Sequence, residues 1–183
     1  MELREKTIDT KRVYDGRVVN LRVDTVELPG GRHTTREVVE LRGAVAIVPL
    51  IDSYTVVMVR QFRQAAGEVL LEIPAGTLEV GEDPDDCAAR ELIEETGYRA
   101  GTLDKMFKSY LAPGYSSEML HTYLATNLEK DIAAPEADEF LEIVSVKLDD
   151  AVAMIETGEI KDAKSICGLL MAYRRFRCLS SQP

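Results

Sequence analysis

The sequence predicts an α/β fold, a sandwich of mixed β-sheets flanked by helices and preceded by an antiparallel strand segment. Three observations predict it. Short β-branched runs recur along the chain, one sharply capped helix interrupts them after Glu82, and two amphipathic helical stretches follow Leu148. Strands, helix, strands, helices is not the strict alternation of a doubly wound parallel sheet.

Taken in order, residues 17–41 read as a hairpin. VVNLRVDTVEL alternates at period two, Pro29-Gly30-Gly31 marks the turn, and HTTREVVEL resumes the alternation. Residues 44–50 and 55–59, separated by Asp52-Ser53, are β-branched-rich and read as two buried strands. Residues 69–73, 119–125 and 141–148 supply further strands. The helix between them has both ends written in the sequence: Asp83 as N-cap, Pro84 at the first helical position, acids in the first turn, and Gly97 just past the end. Residues 149–156 and 161–177 carry helical periodicity, the second with Ile166, Leu169, Leu170, Tyr173 and Phe176 on one stripe.

Composition excludes several classes of function. With 183 residues, 45% hydrophobic and 30% charged, the chain has the make-up of one ordered globular unit. Its longest apolar run, residues 43–51, falls well short of the ~20 residues that cross a bilayer. MELREKTIDTKR lacks the apolar core of a secretory signal, so a cytoplasmic location is expected. Cys87, Cys167 and Cys178 form no CxxC pair, and His33 and His121 form no HExxH. Disulfide frameworks and cysteine or histidine zinc centres are therefore disfavoured. No phosphate-binding P-loop and no GxGxxG occurs. Ser116 and Ser117 precede His121, but no nucleophile elbow accompanies them. A net charge of −10 argues against nucleic acid and anionic membranes as partners.

Much of that charge is concentrated. Between Glu79 and Glu95 stand eight acidic residues and one base, Arg90. At ~100° per residue from Cys87, residues Ala88, Ala89, Leu92, Ile93 and Thr96 fall on one arc, expected to be buried. Glu91, Glu94 and Glu95 fall on the opposite arc. Like charges at i,i+3 and i,i+4 destabilise a helix by ~0.2–0.5 kcal/mol a pair, so a cation is expected among them. Hard divalent magnesium or manganese suits oxygen donors, and Arg90 is placed to orient a carboxylate. The plain alternative is a solvated acidic face. Cys87, one turn before Glu91, reads as a spacer whose thiol nearby carboxylates would push up.

Gly76, five residues, Glu82, seven residues, and then Arg90-Glu91-Leu92-Ile93-Glu94-Glu95-Thr96-Gly97 resembles the Nudix box, GX5EX7REUXEEXGU, with Tyr98 where an aliphatic residue is usual. REVVE (36–40), VRQFR (59–63), LEIPAG (71–76), APGYSSE (112–118) and Pro113, sixteen residues after Gly97, extend the resemblance to the ADP-ribose pyrophosphatases over nearly the whole chain. The resemblance implies a Nudix α/β/α sandwich over residues 43–183. It implies that Glu91, Glu94, Glu95 and the Ala75 carbonyl gather magnesium around a diphosphate, and that ADP-ribose is hydrolysed to AMP and ribose 5-phosphate. It also implies that Glu139, with Glu136 second, activates the water from a loop past the box. Arg63 and Glu118, with Arg36 and Glu37, are expected to contact the substrate. Residues 1–42 are expected to cross to the partner of a homodimer and build its base pocket, so that Arg36 and Glu37 act in trans. Other readings stay open: another nucleoside diphosphate sugar such as GDP-mannose, a non-catalytic nucleotide-binding module, Arg63 as a surface ion pair, and Glu139 as an exposed acid.

Overall fold

Strand alternation in the N-terminal third folds as expected. The computed structural model describes residues 2–133 and 140–180. One unit comprises Met1–Gly43 with Tyr110–Met119. Its sheet is antiparallel, in the order β1 (Lys6–Asp15), β2 (Asn20–Glu27), β3 (His33–Glu40). The β2–β3 turn closes through Gly31 N to Leu28 O at 2.9 Å, with Gly30 and Gly31 at φ 101° and 85°. Those positive angles explain why glycines stand there. Buried Asp24 accepts from Thr10 Oγ1 and Arg22 Nε, while Arg12 and Arg22 both bind Glu40. Strand β1 was not legible from its pattern. It is exposed along its whole length, and two register irregularities, at Thr7/Asp9 and Arg12/Tyr14, break the period-two spacing. The 112–118 loop is tied to β3: Val39 N donates to Tyr115 O and Ser117 N to Val39 O.

The second unit comprises Ala44–Ser109 and Leu120–Pro183. Its sheet runs β10 (Leu141–Lys147), β5 (Thr55–Arg63), β4 (Ala44–Asp52), β9 (Met119–Lys130), β8 (Tyr98–Tyr110). Strand β6 (Glu68–Glu72) pairs with β5, and β7 (Ala75–Thr77) with β4. β4 lies parallel to β9 and antiparallel to β5 and β7, so the sheet is mixed, as expected. Alternation along β4 supplies two cores. Ala46, Val48 and Leu50 face a layer that holds α2 (Leu148–Glu156) and α3 (Ala163–Ser180), with Ala151, Leu169 and Ala172. Val45 and Ile47 face α1 (Pro84–Thr96) through Cys87, Ala88 and Leu92. That is an α/β/α sandwich. Each fully buried Leu or Ile in it is worth about 1.5–3 kcal/mol. β8 escaped the pattern because Gly101, Asp104 and Lys105 interrupt a half-exposed strand, and β7 because it has only three residues.

α1 begins and ends as its sequence dictates. Asp83 accepts from Asp85 N at 2.8 Å, Pro84 opens the helix, and Gly97 closes it at φ 67° by donating to Ile93 O. The buried arc needs correction. Ala89 is exposed and Ile93 only half-buried, whereas Cys87, Ala88, Leu92, Glu95 and Thr96 are buried. The helix is thus rolled toward its acidic side. Apolarity alone misjudged the face because Glu95 is buried with a partner, the Ala75 amide, that hydropathy cannot see.

Candidate active site

The site in the second unit is built where α1 meets the turn between β6 and β7. Ile47 N donates to Pro74 O at 2.9 Å, which docks the turn on β4, and Ala75 N donates to Glu95 Oε2 at 3.0 Å. Glu95 is 3% exposed, so the helix clamps the strand through a buried carboxylate. Gly76 lies directly under Glu91: a Cβ there would fall inside the Glu91 carboxyl group. This is the physical reason the spacing demands glycine at 76, since the φ there is not positive.

Arg90 organises the remaining acids. Its Nη1 donates to Glu91 Oε1 at 2.7 Å and to Glu94 Oε2 at 2.9 Å, while Nε and Nη2 hold the two Glu82 oxygens at 2.9 and 3.0 Å. Glu82 also accepts from Glu79 N. The Arg90 hydrogen bonds push the Glu82 carboxyl down to about 2, and those same acids, Glu82 foremost, hold the guanidinium well above its ordinary value. Cys87 is a core residue, with its thiol pushed up to about 12, first by burial and then by Glu82. The direction of the shift is as expected, with burial, more than charge, as its cause, but Cys87 packs into the core and is not a spacer on the acidic face.

The donor set suits a hard divalent cation. Every candidate ligand is an oxygen, and the thiol nearby stays protonated and does not compete. One guanidinium serves three carboxylates, Glu82, Glu91 and Glu94, and carboxylates from successive turns meet at its single Nη1, while Glu95 is held by the Ala75 amide. Among the described residues no group of three or more acidic, histidine or cysteine side chains is arranged to hold a metal ion. Magnesium commonly uses only one or two protein carboxylates together with substrate phosphates and water. An open set of this kind fits it.

Arg63, at the end of β5, forms an ion pair, but not the surface one that sequence left open. Its Nε and Nη2 fork onto Glu72 at 2.7–3.2 Å, and Glu72 is 2% exposed. Lys164 Nζ reaches the same carboxylate at 2.6 Å. Burial alone would raise the Glu72 carboxyl, but hydrogen bonds from Arg63 and the charge of Lys164 outweigh it and hold it below its ordinary value. Neither Glu72 nor Lys164 was singled out from sequence. The signal was present in LEIPAG, where one charge interrupts an apolar strand end.

Arg36, Glu37 and Glu118 belong to the first unit. Arg36 is exposed on β3 and forks onto Glu5 at 2.6 and 3.1 Å. Glu37 is the next strand residue, so its side chain leaves the opposite face of that sheet. Glu118 is half-buried at the end of the 112–118 loop, its amide donating to Ser116 Oγ at 3.2 Å. His121 is a β9 strand residue, as expected. Glu136 and Glu139 lie outside the described residues. No helix among the described residues is long and apolar enough to cross a membrane.

Comparison with known proteins agrees with this geometry. A NUDIX domain matches residues 40–169, and a nucleoside diphosphate sugar hydrolase N-terminal domain matches residues 5–39. An ADP-ribose pyrophosphatase of Bacillus subtilis (strain 168) is 42% identical over 165 residues, 89% of each chain. A methanol dehydrogenase activator of Bacillus methanolicus is 42% identical over 164 residues, 88% of this chain and 89% of the relative. A GDP-mannose pyrophosphatase of Citrobacter koseri is 37% identical over 141 residues, 72% of each. The crystal structure of an ADP compounds hydrolase matches all of both chains with a TM-score of 0.89 at 22% identity, a likeness of fold. Two of the glutamates that the box spacing selects, Glu91 and Glu95, are the ones α1 packs onto Gly76 and Ala75 at the start of β7, and with the domain match spanning most of its length the chain belongs to the Nudix hydrolase family.

Proposed function

We propose that this chain hydrolyses the diphosphate of ADP-ribose to AMP and ribose 5-phosphate, using magnesium, with manganese able to substitute. The observation that carries the reading is the fixed carboxylate set: Glu91 and Glu94 on one guanidinium nitrogen and Glu95 on the Ala75 amide. A helix meant only for solvent has no use for three mutually repelling acids held this way. Glu91, Glu94, Glu95 and the Ala75 carbonyl would hold the cation. When bound, it supplies Lewis-acid stabilisation of the charge that gathers on the attacked phosphoryl group.

The remaining work falls to the chain. Arg90 keeps Glu91 and Glu94 in place, and Arg63 offers positive charge to a phosphate oxygen. A Glu139 carboxylate oxygen takes the proton of the attacking water, or Glu136 does so in its stead. The water oxygen bonds to phosphorus as the bridging P–O bond breaks, and the two phosphomonoesters separate. Residues 1–42 would pair with a second copy in a homodimer, and Arg36, Glu37 and Glu118 would contact the nucleotide, the first two from the partner subunit. The substrate, a small nucleotide sugar, suits an enzyme of the cytoplasm.

The GDP-mannose pyrophosphatase relative favours a second reading, the same chemistry on another nucleoside diphosphate sugar. A binding module without turnover fits poorly, because it would retain the acidic cluster to no purpose. Incubation with a panel of nucleoside diphosphate sugars and magnesium, with products identified by mass, tests all three. Preferred cleavage of ADP-ribose to AMP is expected. Equal cleavage of every member defeats the ADP-ribose assignment, and binding without AMP defeats the enzyme. Glu139→Gln should lower kcat by ~10²–10⁴ with metal dependence nearly unchanged. Wild-type kcat in that variant moves the base to Glu136.

A further inference from the structure

Glu72 is the least expected charge of the second unit. It stands between Leu71 and Ile73, both core residues, and is itself 2% exposed. Burying a carboxylate is costly, and ionic groups in an interior are poor stability devices, since apolar replacements of similar volume do as well or better. A use other than stability is called for, and its partners supply one. Arg63 commits Nε and Nη2 to Glu72, which fixes the plane of the guanidinium. Among the described residues nothing accepts a hydrogen bond from Nη1, and the Arg63 side chain is 39% exposed. The planar group therefore presents one edge inward and the other outward. The charge of Glu95, one of the proposed cation ligands, also acts on Arg63.

Glu72 is itself held from behind. Lys164, 11% exposed, donates to Glu72 Oε2 at 2.6 Å and to Asp162 Oδ2 at 2.9 Å. Asp162 caps α3 by accepting from Ser165 N at 3.0 Å and from Ser165 Oγ at 2.5 Å. Buried Ser165 Oγ in turn accepts from Ile73 N at 2.9 Å, two residues before Ala75. The start of α3 thus fixes both the carboxylate and the strand end that leads to the catalytic turn.

We infer that Glu72 and Lys164 are positioning residues that hold the Arg63 guanidinium edge-on, so that Nη1 meets a phosphate oxygen of the nucleoside diphosphate sugar. The inference rests on the functional reading above and adds to it two residues that touch neither substrate nor cation. Lys164 shares Glu72 Oε2 with Arg63 Nη2 and prevents Glu72 from turning away. Without this brace, Arg63 would sample several rotamers, and binding would have to order it each time.

A double-variant cycle tests it, with kcat and KM for ADP-ribose in saturating magnesium measured for wild type, Arg63→Ala, Glu72→Gln and the pair. Arg63→Ala should lower kcat/KM by ~10²-fold, and Glu72→Gln by ~10-fold, chiefly through KM. In the Arg63→Ala background Glu72→Gln should change kcat/KM less than ~2-fold, because its whole effect passes through the guanidinium. Equal losses in both backgrounds would mean a merely structural role and overturn the inference. So would an Arg63→Ala variant with wild-type kinetics. Should Glu72→Gln not fold, Glu72→Asp keeps the charge while withdrawing the fork by one methylene, and the same cycle applies to it. If wild type cleaves no nucleoside diphosphate sugar, the functional reading fails by itself. The cycle then runs on calorimetric affinity for inorganic diphosphate, where additivity again overturns the positioning role.

Discussion

Gly76→Ala is the most informative single substitution, because the structure fixes what it must displace. A methyl group at 76 would occupy the space of the Glu91 carboxyl group, whose three atoms are its nearest neighbours at 1.9–2.3 Å. The backbone at 76 is not in the left-handed region, so alanine adds no φ strain. Restoring ordinary contact at about 3.5 Å requires the carboxyl to move by about 1.5 Å. Glu91 is the far end of a flexible side chain, so the fold should tolerate the shift at a cost on the order of 1–2 kcal/mol. The chemistry should not tolerate it. A misplacement of ~1 Å is enough to cost ~10²-fold in rate, and the 2.7 Å bond from Arg90 Nη1 is lost with it. The expected result is a folded protein, checked by circular dichroism, whose kcat/KM for ADP-ribose falls ~10²–10³-fold and whose magnesium requirement rises. Wild-type kcat at the wild-type magnesium concentration would show that Glu91 has no part in holding the cation.

Chelation should abolish turnover and magnesium or manganese restore it. Because a ligand of the native state alone stabilises by about 2.7 kcal/mol at 100 times its Kd, saturating magnesium should also raise the melting temperature by ~5–10 °C, and less in Glu95→Gln. In metal-free melts, stability should fall as pH drops from about 4.5 toward about 2. The folded Glu82 carboxyl is depressed to about 2 from an ordinary 4.5, so what it contributes is complete above 4.5 and lost as pH falls through 2. Glu82→Gln should be less stable at pH 7 and flatter through that window, the two curves converging at the acid end. Light scattering should give twice the mass of one chain, and a fully active monomer would refute the role in trans given to Arg36 and Glu37.

What was legible in the sequence followed from local chemistry. The cap Asp83-Pro84 and the left-handed Gly97 fix α1 to the residue because each end has a separate steric or hydrogen-bonding cause. The hairpin was legible through Pro29-Gly30-Gly31, since glycines at positive φ leave a mark. The roll of α1 was not, because it depends on a bond from Ala75 to Glu95, twenty residues apart in sequence. Nor was the Arg63–Glu72–Lys164 chain, whose last link spans ninety-two positions. Spacing within one helix carries information about neighbours on that helix, whereas a contact across elements leaves only an odd residue, such as a glutamate inside LEIPAG, with its partner unspecified.

The two guanidiniums of the site show how one fold uses the same group in opposite senses. Arg90 is saturated: Nε, Nη1 and Nη2 all engage carboxylates, so it organises ligands and has no free edge for substrate. Arg63 is half-committed, with Glu72 on one edge and no acceptor for Nη1 among the described residues. The segment that leads into β7 is tied to β4 through Pro74, to α1 through Ala75, and to α3 through Ile73. Three hydrogen bonds to three different elements hold that segment in place, so a carbonyl at 75 can be aimed without help from its own side chain. A site that must gather negative charge from both protein and substrate needs this division. The acids have to be pinned before the diphosphate arrives, or mutual repulsion would spread them. On the proposed reading, the arginine that would meet the diphosphate must be pinned as well, by an acid that is buried and therefore out of competition for the cation.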